Sequence, residues 1–453
     1  MSMRAFSAVF AAIALFQMPA SIAAGIANSA DAIEQPTAVH PSLSLADAVE
    51  SALRNHPEIR QARAATAGAE ASADVNRAPL LPKVVASANY QRATSNYQTR
   101  PGALPSSLNQ SDTNSFSTSN YFNFALSAGL RLWDFGQSWN LWQAAKASAT
   151  AAGDNEDDTE LRVILTARTA YFAARAAKAM LHVAWETLAN QQRHLAQIEG
   201  FVDMGTRPAI DLAQARTLTA NARVQMITAE NGYATAKARL NQAMGVEASG
   251  DYEVEDQAFP IVTDEDESKD ILFAQALARR PDLNAVAATT RAREIELNAV
   301  KSGYWPTLDV STGLTDGGSE IGNLAWNWQA AANLSWPLFE GGMTRAQSAQ
   351  ATAALETARA IADASRQSVL LQVEQARLAV RAAKAASTAA GEVVINAREQ
   401  LRLAEGRYET GVGNVLELGD AQLSVTNAAA QQVQADYELA TARAELLAAL
   451  GRR

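Results

Sequence analysis

The chain of 453 residues contains no cysteine, and this absence excludes several classes of protein. There is no disulfide framework, no thiol nucleophile and no cysteine that a lipid could modify. Only four histidines occur, at positions 40, 56, 182 and 194, and none has the spacing of a zinc site. No phosphate-binding loop or nucleophile motif occurs either. The sequence therefore predicts no enzyme, no metal site and no bound cofactor.

Positive charge is also scarce, since 38 Lys and Arg stand against 48 Asp and Glu, giving a net charge of −10. An acidic chain repels polyanions, so we expect no nucleic-acid partner. Long apolar runs are confined to residues 1–24, where Arg4 precedes an apolar stretch and a group of small residues. This pattern predicts a signal peptide, followed by a linker over 25–42. A membrane-anchoring helix is the weaker alternative, because the run is shorter than the ~20 residues needed.

The sequence is an internal duplication. The segment Asn55–Ile59 matches Arg279–Leu283 at an offset of 224 residues, whereas Gly205 matches Gly411 at an offset of 206. The first copy therefore carries 18 additional residues, in a polar stretch rich in Ser and Asn. We expect a first repeat over 43–249, an acidic linker over 250–269 and a second repeat over 270–453.

Each repeat contains two stretches in which apolar and polar residues alternate. They cover about 83–93 and 121–132 in the first repeat, and about 307–315 and 325–336 in the second. They predict two β-hairpins with one apolar face, typical of a transmembrane barrel, although a soluble sandwich remains an alternative. Trp133, Trp305 and Trp336 lie at the strand ends nearest the helices, as in an interfacial aromatic belt. Four strands cannot close a barrel, so the protein must oligomerise.

Proline is absent from 106–207 and from 338–453, where the apolar period is helical. Apolar stripes run from Val369 to Leu401 and from Leu416 to Leu447, and they predict an antiparallel coiled-coil hairpin. In the first repeat, the roughly 60–65 residues from Gly136 to about Gly200 would make a helix on the order of 100 Å long. The hairpin tips are expected near 201–208 and 406–414, where glycine makes the turn. Asp211 and Glu417 then lie in the first turns of the returning helices, where a carboxylate favours the helix dipole.

Together these motifs resemble the TolC-like outer-membrane efflux protein family. The resemblance rests on LSLADAVESALRNHPEIRQARA at 43–64, ALARRPDL at 276–283, YWPTLDVS at 304–311, WPLFEGG at 336–342 and RYETGVGNVLELGDAQ at 407–422. It implies a mainly α fold with a membrane β-barrel portion, in which each protomer gives four strands and two helical hairpins. Three protomers would form a 12-stranded barrel in the outer membrane of a Gram-negative bacterium, continuous with a periplasmic α-helical barrel.

The resemblance also implies site residues and partners. Asp211 and Tyr408 match constriction residues of the family, and Glu417 and Asp420 match paired acids that form an anionic ring able to bind cations. The partners would be outer-membrane lipid, a periplasmic adaptor and an inner-membrane pump of the RND or ABC type. The adaptor would contact the tips, at residues Met204, Gly205, Thr206, Thr410, Gly411 and Val412. A basic residue usual after the second tip glycine is replaced by Gly413, while Arg207 occupies the equivalent place in the first tip.

Other interpretations stay open at this point. The acids at the tips have a second explanation, in which Asp211 and Glu417 are only helix-start carboxylates and Asp420 is a solvated helix position. The function predicted is a passive outer-membrane channel for small molecules in a tripartite exporter. The alternatives are a channel for type I protein secretion and, in a different class, a periplasmic coiled-coil tether.

Overall fold

The computed structural model describes residues 42–94, 116, 118–247 and 252–453. The predicted signal peptide, almost all of the linker after it and most of the inserted loop lie outside these ranges. The strands are β1 (Ser42–Leu43), β2 (Lys83–Thr94), β3 (Thr118–Trp133), β4 (Glu253–Val254), β5 (Thr307–Gly318) and β6 (Ala325–Ser335). The helices are α1 (Leu45–Asn55), α2 (Pro57–Arg77), α3 (Gln137–Asp203), α4 (Ala209–Met244), α5 (Lys269–Arg279), α6 (Pro281–Lys301), α7 (Met343–Glu409) and α8 (Val415–Ala449).

Four long strands form one antiparallel sheet in the order β2, β3, β5, β6. One row of register partners consists of Ala86, Leu126, Leu314 and Trp328. The neighbouring row, on the other face, consists of Ser87, Ala125, Thr315 and Asn327. Because side chains alternate along a strand, the two repeats together give the sheet one mainly apolar and one mainly polar face.

The long helices form a wall of four columns. Two columns are the unbroken helices α3 and α7, each of 67 residues and so about 100 Å long. In the third column α4 is followed end to end by α2, and in the fourth α8 is followed by α6. Helix α3 lies between the two split columns, and α7 packs on the other side of the α8–α6 column.

Glycine makes the end-to-end junctions in the split columns. Gly245, after α4, has φ 69°, and a Cβ there would lie 2.8 Å from backbone atoms of Asn55 and His56. Gly451, after α8, has φ 68°, and a Cβ there would lie 3.1 Å from the backbone of Arg279. Glycine is the amino acid that tolerates both this left-handed backbone conformation and so close an approach of another backbone.

A collar lies across one face of the wall. We use this name for α1, α5, the parallel pair β1–β4 and the segment 252–268. Its apolar side chains share one core with a helix from each of the four columns. That core includes Tyr171 of α3, Leu240 of α4, Val373 of α7 and Leu446 of α8. The collar therefore fixes the spacing of the helices near the middle of their length.

The coiled-coil seam of the second hairpin differs in part from the expected one. The predicted stripe on α7 is confirmed, since Val369, Val373 and Val380 are buried. The stripe predicted on α8 is wrong at Leu416 and Leu423, which are 58% and 55% exposed. The buried stripe instead repeats every seven residues, through Ala421, Ala428, Ala435, Ala442 and Ala449. Helix α8 packs against both α7 and α3, so it is apolar on two sides and offers two candidate stripes.

Candidate functional site

The predicted constriction and adaptor-contacting residues lie together at the ends of the two helical hairpins. The first tip joins α3 to α4, and the second joins α7 to α8. The sheet lies at the opposite ends of α3 and α7. The two tips are neighbours within one chain, because their apolar side chains form a separate core cluster. Its buried members are Ile198, Ala215, Ala404, Tyr408, Leu418 and Ala421.

Both tips use the same helix-terminating turn. Gly205 has φ 70° and its N–H donates to the carbonyl of Val202 at 2.9 Å, while Thr206 N–H donates to Phe201 at 2.9 Å. Gly411, with φ 81°, begins the same pair of bonds at the second tip. This is the Schellman arrangement, which favours glycine at the left-handed position. The six residues predicted to meet an adaptor are all exposed: Met204, Gly205, Thr206, Thr410, Gly411 and Val412.

The returning helices begin differently. The Asn414 side chain accepts a hydrogen bond of 2.7 Å from the backbone N–H of Glu417 and so caps α8. Pro208 precedes the first residue of α4 and provides no side-chain cap. Pro208 lies one residue before α4, where its extended backbone leads into the helix.

Arg207 and Tyr408 form a contact between the two tips. The Arg207 Cζ atom lies 4.6 Å from the centroid of the Tyr408 ring, and its Nη2 donates to the Tyr408 carbonyl at 3.5 Å. Tyr408 is only 2% exposed, and its hydroxyl has no hydrogen-bond partner in the described part of the chain. Burial raises the pKa of Tyr408, the positive charge of Arg207 opposes that change, and Asp211 adds to it.

The four predicted constriction residues separate into two pairs. Asp211 and Tyr408 are both buried between the hairpins. Glu417 and Asp420 are exposed and lie one turn apart on α8. Glu417 forms a salt bridge of 3.0 Å with Arg407. The sequence did not indicate this pair, nor did it indicate the contact between Arg207 and Tyr408.

Polar residues also join the hairpins above the tips. Gln191 of α3 donates a hydrogen bond of 2.9 Å to Gln422 of α8, and both side chains are buried. Thr187 and Thr426 are hydrogen-bonded at 3.1 Å one turn away. A sequence signal for this contact existed, because Gln191 occupies the heptad position of the apolar residues Ala184 and Ile198.

The three predicted interface tryptophans lie at the helix-proximal edge of the sheet. Trp133, Trp305 and Trp336 are each more than half exposed. Phe135 stacks on Trp305 with centroids 5.2 Å apart and meets Trp133 edge-on at 5.9 Å. An exposed aromatic band of this kind is typical of the boundary between hydrocarbon and water.

Neither a metal cluster nor a long apolar helix occurs among the described residues. No group of three or more His, Asp or Glu side chains converges there in a way that could hold a metal ion. None of the helices in residues 42–94, 118–247 and 252–453 is long and apolar enough to cross a membrane.

Comparison with known proteins decides the family. A model of the outer membrane efflux protein family matches residues 48–246 and 272–452, which include most of both repeats. The chain belongs to the outer membrane efflux protein family. The predicted resemblance is therefore confirmed, as are the outer-membrane location and the role as a channel component of efflux systems.

Named relatives of this efflux protein agree with that assignment. The toluene efflux pump outer membrane protein TtgF of Pseudomonas putida is 26% identical over 384 residues, covering 82% of this chain and 77% of TtgF. The cation efflux system protein CusC of Escherichia coli is 23% identical over 236 residues, covering 51% of this chain and 50% of CusC. A crystal structure of a membrane protein from Pseudomonas aeruginosa superimposes with a TM-score of 0.79 at 23% identity, covering 90% of each chain. This likeness shows the shared fold.

Proposed function

We propose that three copies of this efflux protein form a closed ring, with a 12-stranded barrel in the outer membrane and a helical conduit of twelve columns beneath it. The observation that carries the proposal is the position of the free edges. Within the described residues, the outer edge of β2 and the outer edge of β6 have no strand partner. In the same described part of the chain, the outer sides of the α4–α2 column and of α7 meet no further column.

These free edges occur on the same two sides of the molecule. Strand β2 follows α2, and β6 precedes α7, so one side presents β2 with the α4–α2 column and the other presents β6 with α7. Two unlike edges associate head to tail, and such contacts close into a ring when the rotation permits. The number three follows from the family resemblance, and it gives 12 strands, within the range of known membrane barrels.

We propose that the tips close the periplasmic end of this conduit. Arg207 and Tyr408 hold the two hairpins of one protomer together, with Asp211 buried beside them. Glu417 and Asp420, being exposed, supply the acidic groups of the constriction.

We propose a periplasmic adaptor and an inner-membrane pump as partners, and small molecules as cargo. The exposed tips offer small residues to an adaptor, and the relatives above are named for the efflux of toluene and of cations. The pump would supply the energy, since the sequence contains no nucleotide-binding motif.

Cysteine cross-linking tests the ring, because the natural chain has no cysteine. Ala86→Cys on β2 is combined in turn with Trp328→Cys, Ala330→Cys and Ala332→Cys on β6. We expect at least one combination to give covalent species of two and three chains and no larger one. Ala86→Cys alone is the control and should stay a single chain under the same oxidant. A ladder that ends at two or continues to four chains would overturn the trimer.

Conductance in planar bilayers tests the tip assignment. Wild type should show small, cation-selective openings that a trivalent cation blocks from the tip side, and Glu417→Ala/Asp420→Ala should abolish the block. Tyr408→Ala should enlarge the openings, whereas Tyr408→Phe keeps the ring beneath Arg207 and tests the hydroxyl alone. Block that survives the double substitution would reject the acidic constriction, and unchanged conductance in Tyr408→Ala would reject the closing contact.

A further inference from the structure

Two tryptophans and two cations form a cluster just below the sheet. Trp139 and Trp142, in the first turns of α3, meet edge to face with centroids 4.8 Å apart. The Arg77 guanidinium, at the end of α2, lies 5.7 Å from the Trp142 ring centroid, and Lys146 Nζ lies 5.2 Å from it. Trp139 is 52% exposed, so the cluster is not a closed core.

The cations of this cluster are not neutralised by a salt bridge. In the ranges that the structure describes, neither Arg77 nor Lys146 lies within salt-bridge distance of a carboxylate. The acid nearest in sequence to Arg77 is Asp74, one turn earlier on α2, and the nearest to Lys146 on its own helix is Asp154, two turns later. Two charged groups that lie over an aromatic ring without a salt bridge among the described residues retain donors for an external anion.

The depth of the cluster matches the headgroup layer of a bilayer. Strand β3 ends at Trp133 and α3 begins at Gln137. At ~1.5 Å per residue, Trp139 and Trp142 lie within about 8 Å of the start of α3, and Lys146 Nζ lies 5.2 Å from the Trp142 ring. The polar layer on each side of the hydrocarbon is roughly 5–8 Å thick. Trp is favoured in this layer, and Lys or Arg next to it attract acidic lipids.

The coiled-coil repeat places the cluster on the same face of α3 as the collar. Trp139 and Lys146 are separated by multiples of seven residues from Ala167 and Ala174, so all four occupy one heptad position. Ala167 and Ala174 are fully buried, the first against Ala52 of α1 and the second in the collar core. The collar lies outside the ring if the protein is a conduit, and in this respect the inference rests on the proposed function.

We infer that Arg77, Trp139, Trp142 and Lys146 bind the headgroup of an acidic phospholipid at the periplasmic surface of the outer membrane. The aromatic pair lies against the glycerol and upper acyl region, and the two cations donate to the phosphate. The second repeat lacks this site, because Arg345, Ser348 and Thr352 replace the two tryptophans and the lysine. One site per protomer follows.

Native mass spectrometry of the detergent-solubilised protein tests this inference. The probes are short-chain phosphatidylglycerol and short-chain phosphatidylcholine, titrated separately, with inorganic phosphate as a competitor. We expect wild type to bind phosphatidylglycerol roughly 30-fold more tightly than phosphatidylcholine, since each of the two cations contributes about 1 kcal/mol near an acidic surface. Arg77→Gln/Lys146→Gln should lose this preference, and Trp139→Ala/Trp142→Ala should weaken the binding of both lipids.

The matched control removes two cations at the equivalent place in the second repeat. Lys301→Gln/Arg345→Gln changes the net charge by the same amount without touching the tryptophans, and it should keep the wild-type preference. Three results would overturn the lipid site. The control could lose the headgroup preference as fully as Arg77→Gln/Lys146→Gln, wild type could show no preference, or inorganic phosphate could displace the lipid completely. The same spectra report the mass of the assembly. A trimer without headgroup preference rejects only the lipid site, whereas any other mass rejects the proposed ring.

Discussion

The linker between the repeats is held at its two ends by corresponding cations of the two hairpins. Lys178 and Lys384 are 206 residues apart, and so are Lys237 and Arg443. At the first end, Lys178 Nζ lies 2.7 Å from a carboxylate oxygen of Glu253, and both side chains are largely solvated. The duplicated scaffold thus offers each end of the linker the same two basic positions.

The second end uses these positions in a buried site. The Glu265 side chain is only 3% exposed and accepts hydrogen bonds of 2.7 and 2.9 Å from Arg443 and one of 3.2 Å from Lys384. A solvated ion pair contributes little, whereas a buried carboxylate depends on its partners. The comparison shows that duplication set the positions of the cations, whereas burial decides how much each ion pair contributes to stability.

Removal of the two glutamates gives the sharpest contrast. Glu265→Ala leaves Arg443 buried without its partner, which should lower the free energy of unfolding by about 3–5 kcal/mol. Glu253→Ala, the matched control at the other end, should cost less than about 1 kcal/mol. Hydrogen exchange of the amides in 252–268, with thermal unfolding followed by circular dichroism, measures both. Similar losses in the free energy of unfolding for the two variants would contradict the conclusion that burial makes the Glu265 contacts the stronger ones.

The junction glycines allow a second comparison between the repeats. Gly245→Ala combines a left-handed backbone, about 1–2 kcal/mol, with overlap that adds about 1–3 kcal/mol. Gly451→Ala should cost less, because its Cβ would stand 3.1 rather than 2.8 Å from backbone. Gly205→Ala shares the positive φ but meets no atom within 4 Å, so it isolates the backbone cost. Thermal midpoints that do not follow this order would refute the close-approach argument.

Acid should release the second end of the linker. Burial by itself raises the pKa of Glu265, but hydrogen bonds from Arg443 and Lys384 outweigh it and hold that pKa below the ordinary value. A lowered folded-state pKa gives stability that is complete above the ordinary value, about 4.3–4.5, and is lost as pH falls through the lowered one. Amide protection in 260–268 should therefore be constant from about pH 7 to 5 and fall below about 4. Glu265→Gln should remove this step, and a step that persists in it belongs to another group.

The smallest expected difference lies at the tips. Asn414→Ala removes the cap of α8 and should cost about 1 kcal/mol locally, seen as faster amide exchange at the start of that helix. Pro208→Ala at the first tip removes no cap and should leave α4 exchange almost unchanged. Equal effects at the two tips would show that the Asn414 hydrogen bond contributes nothing.

The sequence could predict those parts of the fold that depend on local pattern. Alternation identified the strands and the glycines identified the tips, because side-chain period and left-handed turns are properties of a few adjacent residues. The stripe on α8 was partly misplaced, since a helix packed on two sides has two apolar faces. The Arg207–Tyr408 contact joins residues about 200 positions apart, and no local pattern indicates it. The roles of the constriction and tip residues remain predictions.

The two unpartnered strand edges also bear on when the protein can enter its membrane. A protomer that reached the bilayer alone would carry two rows of unpaired amide and carbonyl groups into hydrocarbon, each group costing several kcal/mol. If the protein forms the proposed ring, insertion before association is prohibitively unfavourable, and the two events are coupled into one. The rate of insertion should then rise more steeply than in proportion to protein concentration, so the supply of newly exported chains governs how fast channels appear.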